Sequence, residues 1–247
     1  MLLRQVAPYF KHGVCLRPGD TVFDVGANIG LFCALAGDWG GRALTGFAFE
    51  PAPALLEPLR VNLSRYAPGV LPVACAVSSQ VGALTLSYFA RATMLSTAFP
   101  DDLGSKATRH AVADQFQRLP RGLRWMRHLP RATRRVLVDV GMRLVLRPTQ
   151  VSCATTTLSS VIEEQRIERV DLLKIDAERA ELDVLQGITA AHWPRIAQVV
   201  MEVHDLDGRL ARVCNLLRDH GFDHLVVEQS AGLRPFGVHQ LWARRSQ

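Results

Sequence analysis

The stretch DTVFDVGANIGLF, at positions 20–32, restricts the fold of this chain more than any other feature. Most residues of Thr21–Val25 favour β-structure and form a short apolar run, which predicts a buried strand. Gly26 and Gly30 follow, and because neither has a Cβ atom, the backbone there can turn tightly and approach a ligand closely. A helix that begins at this turn directs unpaired N–H groups towards the loop. Asp24 lies beside the loop, where its carboxylate would repel a pyrophosphate but would suit a cationic or amine-bearing ligand.

Strand-like and helix-like segments alternate along the rest of the chain, which is typical of a mostly parallel sheet covered by helices on both faces. We predict strands at 44–51, 71–77, 171–176, 196–205, 222–229 and 237–245, with an added strand or hairpin arm at 82–89. Helices are predicted at 54–65, 180–186 and 210–220, and another around Glu163, capped by Ser159 or Thr157. The pattern predicts a single α/β domain over residues 1–247.

Length and composition fit one enzyme domain. At 247 residues and 48% hydrophobic content, the chain is long enough to bury the core of an α/β fold. No apolar stretch approaches the roughly 20 residues that span a bilayer, and the first residues lack the pattern of a signal peptide. The five cysteines are scattered, without the paired spacing of metal ligands. We therefore expect a soluble enzyme with reduced thiols in the cytoplasm.

The positive charge of the chain is concentrated in one segment. Residues 104–147 contain eleven Lys or Arg and two Asp, so this segment has a net charge of +9. Because the whole chain has a net charge of +6, the remaining residues together carry −3. The arginines recur at three- and four-residue spacing, which is typical of solvated amphipathic helices. A second interpretation is a helical lid at 97–150 that covers the active site and offers positive charge to an acidic carrier protein or an anionic membrane surface. We expect no nucleic acid partner, because the sequence has no recognised nucleic-acid-binding motif.

Glu50 lies at the end of the second predicted strand and so at the same edge of the sheet as the glycine loop. A carboxylate at this position can accept hydrogen bonds from ribose hydroxyls, so Glu50 and Asp24 would flank one crevice for a nucleoside-type ligand. The loop lacks the full G-x-G-x-x-G spacing of dinucleotide folds, and a purely structural turn is the alternative. The combination favours S-adenosylmethionine over a nicotinamide dinucleotide.

Two further predicted strands end in polar side chains. Lys174 and Asp176 are two residues apart and therefore face the same way, and Glu202 and His204 repeat this arrangement. We expect the four groups to converge at the crevice, since unpaired buried charges are costly. His204 is the best candidate for a base, because imidazole titrates near neutrality. Two alternatives stay open: ion pairs that merely close the sheet, and a divalent metal site formed by Asp176, Glu202 and His204. We rank the metal site lower and predict no metal.

Several stretches together carry a family resemblance. VFDVGANIGLF, FAFEP, AVSSQVGALTLSYF, TTLSSVIEE, DLLKIDAERAELDVLQGI and WPRIAQVVMEVHD occur in this order. They resemble the FkbM family of S-adenosylmethionine-dependent methyltransferases, and most closely its subgroup associated with polyketide and nonribosomal peptide assembly lines. Only the arginine-rich segment lies outside the resemblance. The family's usual KIDVEGAE appears here as KIDAERAE, with Arg179 in place of the glycine, and close relatives from assembly lines also lack that glycine.

The resemblance implies a Rossmann-like class I methyltransferase fold with a mostly parallel seven-stranded sheet and an antiparallel final strand. It also implies O-methylation of a hydroxyl group in a small-molecule natural product, free or bound to a carrier, or in a glycan. The alternatives are N-methylation of a similar acceptor, oxidation with a nicotinamide cofactor, and a binding module without catalytic activity.

Site roles follow as hypotheses. The residues expected to bind the cofactor S-adenosylmethionine are Asp24, Val25, Gly26, Ala27, Asn28, Gly30, Glu50 and Ser78. The loop would hold the methionine part, Glu50 would hold the ribose, and Ser78 would approach the adenine.

The expected catalytic residues are His204, Glu202, Asp176 and Lys174. His204 would accept the hydroxyl proton, with Glu202 or Asp176 orienting it. Lys174 would pair with Asp176 or with a substrate oxygen. Methyl transfer is an in-line displacement, so positioning and exclusion of water would supply most of the rate.

Overall fold

A computed structural model of the protein describes residues 6–88, 149–230 and 237–246, together with 128–130, 132–133, 136–137, 140 and 234. The strands are β1 (Thr21–Val25), β2 (Thr45–Phe49), β3 (Gly69–Val73), β4 (Ala76–Val77), β5 (Gly82–Tyr88), β6 (Thr149–Thr156), β7 (Leu172–Ile175), β8 (Gln198–His204), β9 (His224–Glu228) and β10 (Val238–Arg244). The helices are α1 (Leu31–Trp39), α2 (Pro53–Tyr66), α3 (Leu158–Glu164), α4 (Glu181–Gln186) and α5 (Arg209–Asp219), with 3-10 turns at Ala7–Phe10 and Trp193–Arg195.

Seven strands form one sheet in the order β3-β2-β1-β7-β8-β10-β9. Neighbouring strands are parallel except for β10, which is antiparallel to both β8 and β9. The predicted seven-stranded, mostly parallel sheet with an antiparallel final strand is therefore confirmed. The strand order reverses between β1 and β7, and ligands of open α/β sheets bind outside the carboxyl ends of the strands at such a point. The crevice thus lies beside the residues that follow β1 and β7.

Helices cover both faces of the sheet because its central strands are apolar on both sides. Val22 of β1 belongs to the core cluster that includes α1 and α2, whereas its neighbour Phe23 belongs to the cluster that includes α3, α4 and α5. Leu172 and Leu173 of β7 divide between the two clusters in the same way. Strands buried on both faces produce the near-continuous apolar runs of the sequence.

The prediction of one buried strand at 71–77 is wrong. The structure divides this segment between β3, at the edge of the large sheet, and β4, which pairs with β6 in a second sheet of order β4-β6-β5. Among the described strands β3 pairs with β2 alone, so Leu71 is exposed and Pro72, which has no N–H group to donate, is tolerated. The added strand predicted at 82–89 is β5, which is antiparallel to β6.

The arginine-rich segment at 104–147 and the helical lid predicted at 97–150 fall almost entirely outside the described residues, so the lid stays a prediction. The segment connects β5 to β6, which begins at Thr149. Within the parts of the chain that the structure describes, no helix combines the length and the apolar content needed to cross a bilayer.

We predict that Gly26→Ala strongly destabilises the protein. Gly26 has a φ of +73°, and a Cβ atom there would lie 1.9 Å from the carbonyl oxygen of Asp176. Gly208 provides a matched control, because its φ is +71° and no atom of the described residues lies within 4 Å of its Cβ position. Gly208→Ala should cost about 1 kcal/mol of left-handed backbone strain. Gly26→Ala should cost several kcal/mol, because β1 must also separate from the turn after β7. Equal losses in the free energy of unfolding, measured by chemical denaturation, would contradict this contact.

Candidate functional site

A cavity of about 640 Å³ lies at the carboxyl ends of β1, β2, β7 and β8, and its size is usual for a small-molecule site. Of the residues predicted for the site, those that line the cavity are Val25, Gly26, Ala27, Asn28, Glu50, Ser78, Lys174, Asp176 and Glu202. Asp24, Gly30 and His204 are not among its lining residues. The structure therefore brings most of the predicted groups to one cavity and places three of them beside it.

The loop after β1 is fixed by hydrogen bonds of its own backbone. The N–H groups of Gly26 and Ala27 donate to the Phe49 carbonyl oxygen at 3.1 and 3.0 Å. The Ile29 N–H donates to Oδ1 of Asn28 at 2.9 Å. Because these donors are occupied, residues 26–29 offer a ligand close approach to the backbone rather than free N–H groups. Such a loop suits a cofactor that carries no phosphate.

Glu50 is a buried carboxylate with capacity for further hydrogen bonds. Its Oε2 accepts from the Asn28 N–H at 2.8 Å, and its Oε1 accepts from the Ala52 N–H at 2.9 Å. Burial raises the pKa of Glu50, although the two backbone donors act in the opposite direction. A carboxylate has about four acceptor positions, so each oxygen retains one for a ribose hydroxyl.

Lys174 is buried next to the loop, and its ammonium group donates hydrogen bonds to the end of β1 and the residue that follows it. Its Nζ donates to the carbonyl oxygens of Gly26 at 2.7 Å and Val25 at 3.2 Å. The same atom lies 2.9 Å from Oδ1 of Asp24 and 3.8 Å from Oδ2 of Asp176. Burial lowers the pKa of Lys174, but the charges of Asp24 and Asp176 outweigh it and raise the pKa above its usual range. Asp24 therefore faces a protein cation and not the cavity.

Besides Glu50, the carboxyl groups that line the cavity are those of Asp176 and Glu178 after β7, Asp183 on α4 and Glu202 on β8. Oδ2 of Asp176 accepts from the Tyr9 hydroxyl at 3.2 Å, whereas its buried Oδ1 has no hydrogen-bond partner among the described residues. Burial, and then the charge of Asp176, raises the pKa of Glu202 to about 7. The same two causes raise the pKa of Glu178 well above its usual range. Several carboxyl groups therefore meet in the cavity, and the pKa of about 7 lets Glu202 exchange a proton near neutral pH.

His204 lies next to these carboxyl groups, in contact with two glutamates. Its Nδ1 is 2.7 Å from Oε1 of Glu181, and its Nε2 is 3.4 Å from Oε2 of Glu178. Arg209 donates to the other oxygen of Glu181 at 3.2 Å, and also to the Arg179 carbonyl oxygen at 2.6 Å. The imidazole thus takes part in a polar network that holds the turn between β7 and α4.

The metal hypothesis for Asp176, Glu202 and His204 gains no support. Across the described residues, no group of three or more His, Cys, Asp or Glu side chains is arranged to hold a metal ion. His204 is engaged by Glu181 instead.

Two cavity residues, Tyr9 and Glu178, were missed in the sequence. Glu178 follows Asp176 at a spacing of two, a signal that was available in the sequence. Tyr9 lies in the 3-10 turn Ala7–Phe10, before the first strand, and no pattern in the sequence distinguishes it.

Comparisons with known proteins agree with this geometry. The sequence model of the methyltransferase FkbM domain matches residues 24–223. The chain is 39% identical over 241 residues to the 31-O-demethyl-FK506 methyltransferase FkbM of Streptomyces tacrolimicus, a match that covers 96% of this chain and 85% of the relative. It is 32% identical to methyltransferase sdnD of Sordaria araneosa, with 93% of this chain and 83% of the relative covered. It is also 34% identical to the AMB antimetabolite synthetase AmbE of Pseudomonas aeruginosa, but that match spans 11% of the longer relative.

The chain therefore belongs to the FkbM methyltransferase family. It is an S-adenosylmethionine-dependent methyltransferase with the Rossmann-like class I fold, as its motifs predicted. This class decides against the nicotinamide-dependent oxidoreductase.

We predict that Glu202→Gln stabilises the folded protein above about pH 7 and has less effect as the pH falls. The unfolded chain releases the Glu202 proton near the ordinary pKa of 4.5, whereas the folded protein keeps it until about 7. Between these values the unfolded state binds fewer protons, so the stability of the wild type falls as the pH rises. The variant has no such titration and should gain about 1–3 kcal/mol at the higher pH.

The measurement is chemical denaturation at several pH values, with Glu164→Gln as a control because Glu164 is exposed on α3. A stability difference between Glu202→Gln and the wild type that does not vary with pH would contradict the raised pKa.

Proposed function

We propose that this methyltransferase transfers a methyl group from S-adenosylmethionine to a hydroxyl group of a natural product. S-adenosylmethionine supplies an electrophilic methyl group on a positively charged sulfur. Three features of the cavity fit this cofactor: its volume, the remaining acceptor positions of Glu50, and the absence of a Cβ atom at Gly26. The ion pair of Asp24 and Lys174 holds the loop in place, because Lys174 also donates to the Gly26 carbonyl oxygen.

The order of the strands in the large sheet supports an assignment of residues to the parts of the cofactor. Glu50, after β2, would hold the ribose, and Ser78, after β4 of the second sheet, lines the same cavity and would lie by the adenine. Gly26 and its neighbours, after β1, would hold the methionine part. The next strands in the sheet are β7 and β8, so Asp176 and Glu202 are the side chains left to face the methyl group and the acceptor. This order is the observation that carries the proposal.

We assign the role of base to Glu202, in place of His204. Glu202 lines the cavity, and its pKa of about 7 suits a group that accepts a proton near neutral pH. His204 does not line the cavity, and its hydrogen bond to Glu181 gives it a positioning role in the turn after β7.

The acidic environment favours a hydroxyl acceptor over an amine. Asp176, Glu178 and Glu202 would hold an incoming amine in its protonated form, which has no lone pair for attack. A neutral hydroxyl is not disabled in this way, and a carboxylate with a raised pKa can take its proton as the oxygen–methyl bond forms. N-methylation of a similar substrate is the second candidate.

The printed names of the relatives guide the choice of acceptor. One is a 31-O-demethyl-FK506 methyltransferase and another is an antimetabolite synthetase, so we propose a hydroxylated natural product, free or bound to a carrier, rather than a glycan. The arginine-rich segment at 104–147 is our candidate for contact with an acidic carrier protein or an anionic surface. A cytoplasmic location is part of the same proposal, because all five cysteines are free thiols.

The test is a methylation assay with S-adenosylmethionine and 31-O-demethyl-FK506, extended to other hydroxylated macrolides and peptides. We expect a product heavier by one CH₂ group, with the new methyl group on oxygen by NMR. Glu202→Gln should lower kcat by roughly 10²-fold or more and leave cofactor affinity unchanged, whereas Glu164→Gln should have no effect. His204→Asn should lower kcat by about tenfold at most, because its role is indirect.

An N-methylated product would replace our proposal by the second candidate. A loss of turnover in His204→Asn as large as in Glu202→Gln would return the role of base to His204.

A further inference from the structure

The first described residues form a strap across the site, which we define as residues 7–12. Its backbone is fixed by Trp242 of β10, whose Nε1 donates to the carbonyl oxygens of Pro8 at 3.1 Å and Tyr9 at 3.2 Å. Phe10 stacks on Phe32 of α1 with ring centroids 5.4 Å apart. Lys11 forms an ion pair with Glu228 of β9 at 2.8 Å. In the sequence, the strap precedes and Trp242 follows residues 24–223, the span that the family model matches. The family model therefore covers neither of them.

The strap places Tyr9 in the wall of the cavity. The side chain is buried, and its hydroxyl donates to Oδ2 of Asp176 at 3.2 Å. Its ring meets Phe32 edge to face at a centroid distance of 5.7 Å, and Nζ of Lys174 lies 5.9 Å from the ring centroid. Burial, followed by the charges of Asp176 and Glu202, raises the pKa of Tyr9 well above its usual range. The hydroxyl therefore stays protonated and can only donate to the carboxylate.

Of the two carboxylate oxygens of Asp176, one accepts a hydrogen bond and the other has no hydrogen-bond partner among the described residues. The charged or titratable groups that face it are Tyr9 from the strap, Lys174 from β7, Glu178 from the following turn and Glu202 from β8. The Lys174 ammonium lies closer to Asp24 and to two carbonyl oxygens than to Asp176. Oδ1 of Asp176 is buried and has no hydrogen-bond partner among the described residues. A positively charged ligand in the cavity would therefore be attracted by the Asp176 carboxylate, which Lys174 neutralises only in part and which the Tyr9 hydroxyl holds in place.

We propose that Tyr9 is a positioning residue that orients the carboxylate of Asp176, so that the site binds the positively charged S-adenosylmethionine more tightly than its neutral product, S-adenosylhomocysteine. This inference rests on the proposed placement of the cofactor. The two molecules differ by one methyl group and by the charge on sulfur, so a carboxylate beside the sulfur distinguishes them by charge. The sulfur loses its positive charge when the methyl group is transferred, so its attraction to Asp176 ends. This favours the replacement of S-adenosylhomocysteine by S-adenosylmethionine.

The experiment measures the dissociation constants of both molecules by calorimetry, at several pH values between about 6 and 8, for full-length protein. The variants are Tyr9→Phe and Asp176→Asn, and Tyr66→Phe is the matched control because it makes the same change on α2, away from the cavity. No methyl acceptor is required. Tyr9→Phe removes one oxygen atom from a buried ring, and melting temperatures establish that each variant is folded.

We expect the wild type to bind S-adenosylmethionine about tenfold more tightly than S-adenosylhomocysteine, a preference of roughly 1.4 kcal/mol. Asp176→Asn should remove most of this preference by weakening the binding of S-adenosylmethionine alone. Tyr9→Phe should reduce it by roughly threefold, because the carboxylate has lost the hydroxyl group that orients it. Tyr66→Phe should match the wild type.

Equal affinities in the wild type, or a preference unchanged in either Tyr9→Phe or Asp176→Asn, would overturn the inference and leave the proposed function intact. A wild type that binds neither molecule would overturn the proposed function and this inference with it.

Discussion

The buried ammonium group of Lys174 joins the two central strands on which the site is built. It extends from β7 to two carbonyl oxygens at the end of β1 and to the carboxylate of Asp24, which is inaccessible to solvent. Removing it would leave Asp24 as an unpaired buried charge, a change that typically costs 3–5 kcal/mol. The same contacts fix the turn in which Gly26 approaches the carbonyl oxygen of Asp176. A single cation therefore fixes the loop after β1 relative to the end of β7.

That arrangement has a consequence for charge. The Lys174 ammonium group lies closer to Asp24 at the end of β1 than to Asp176. Its positive charge therefore neutralises little of the negative charge of Asp176, Glu178 and Glu202, which line one cavity. Burial, followed by the charge of Asp176, raises the pKa of Glu178 and Glu202, which lowers the stability of the fold at neutral pH. Glu202 is the group that we propose as the proton acceptor. In this account, the Asp176 carboxylate attracts the positively charged cofactor, and the hydrogen bond from the Tyr9 hydroxyl holds that carboxylate in place.

Much of this architecture could be predicted from the sequence, because it depends on local patterns. The apolar runs of β1, β7 and β8 and the polar residues at their ends predict a parallel sheet with a site at one edge. The division between β3 and β4 could not be predicted, because it depends on pairing with β6 far along the chain. Tyr9 escaped detection for a similar reason: its position depends on Trp242, 233 residues away. The surroundings of His204 are set by Glu181 on α4, which the sequence of β8 does not reveal.

The placement of the cofactor across the sheet is the central claim, and a crystal structure of the complex with S-adenosylhomocysteine tests it most directly. The account predicts ribose hydroxyls within hydrogen-bond distance of Glu50, the adenine beside Ser78, and the sulfur on the side of the loop that faces Asp176 and Glu202. A sulfur atom on the β3 side of the loop, or a ribose with no contact to Glu50, would contradict the account and leave Asp176 and Glu202 without their proposed roles.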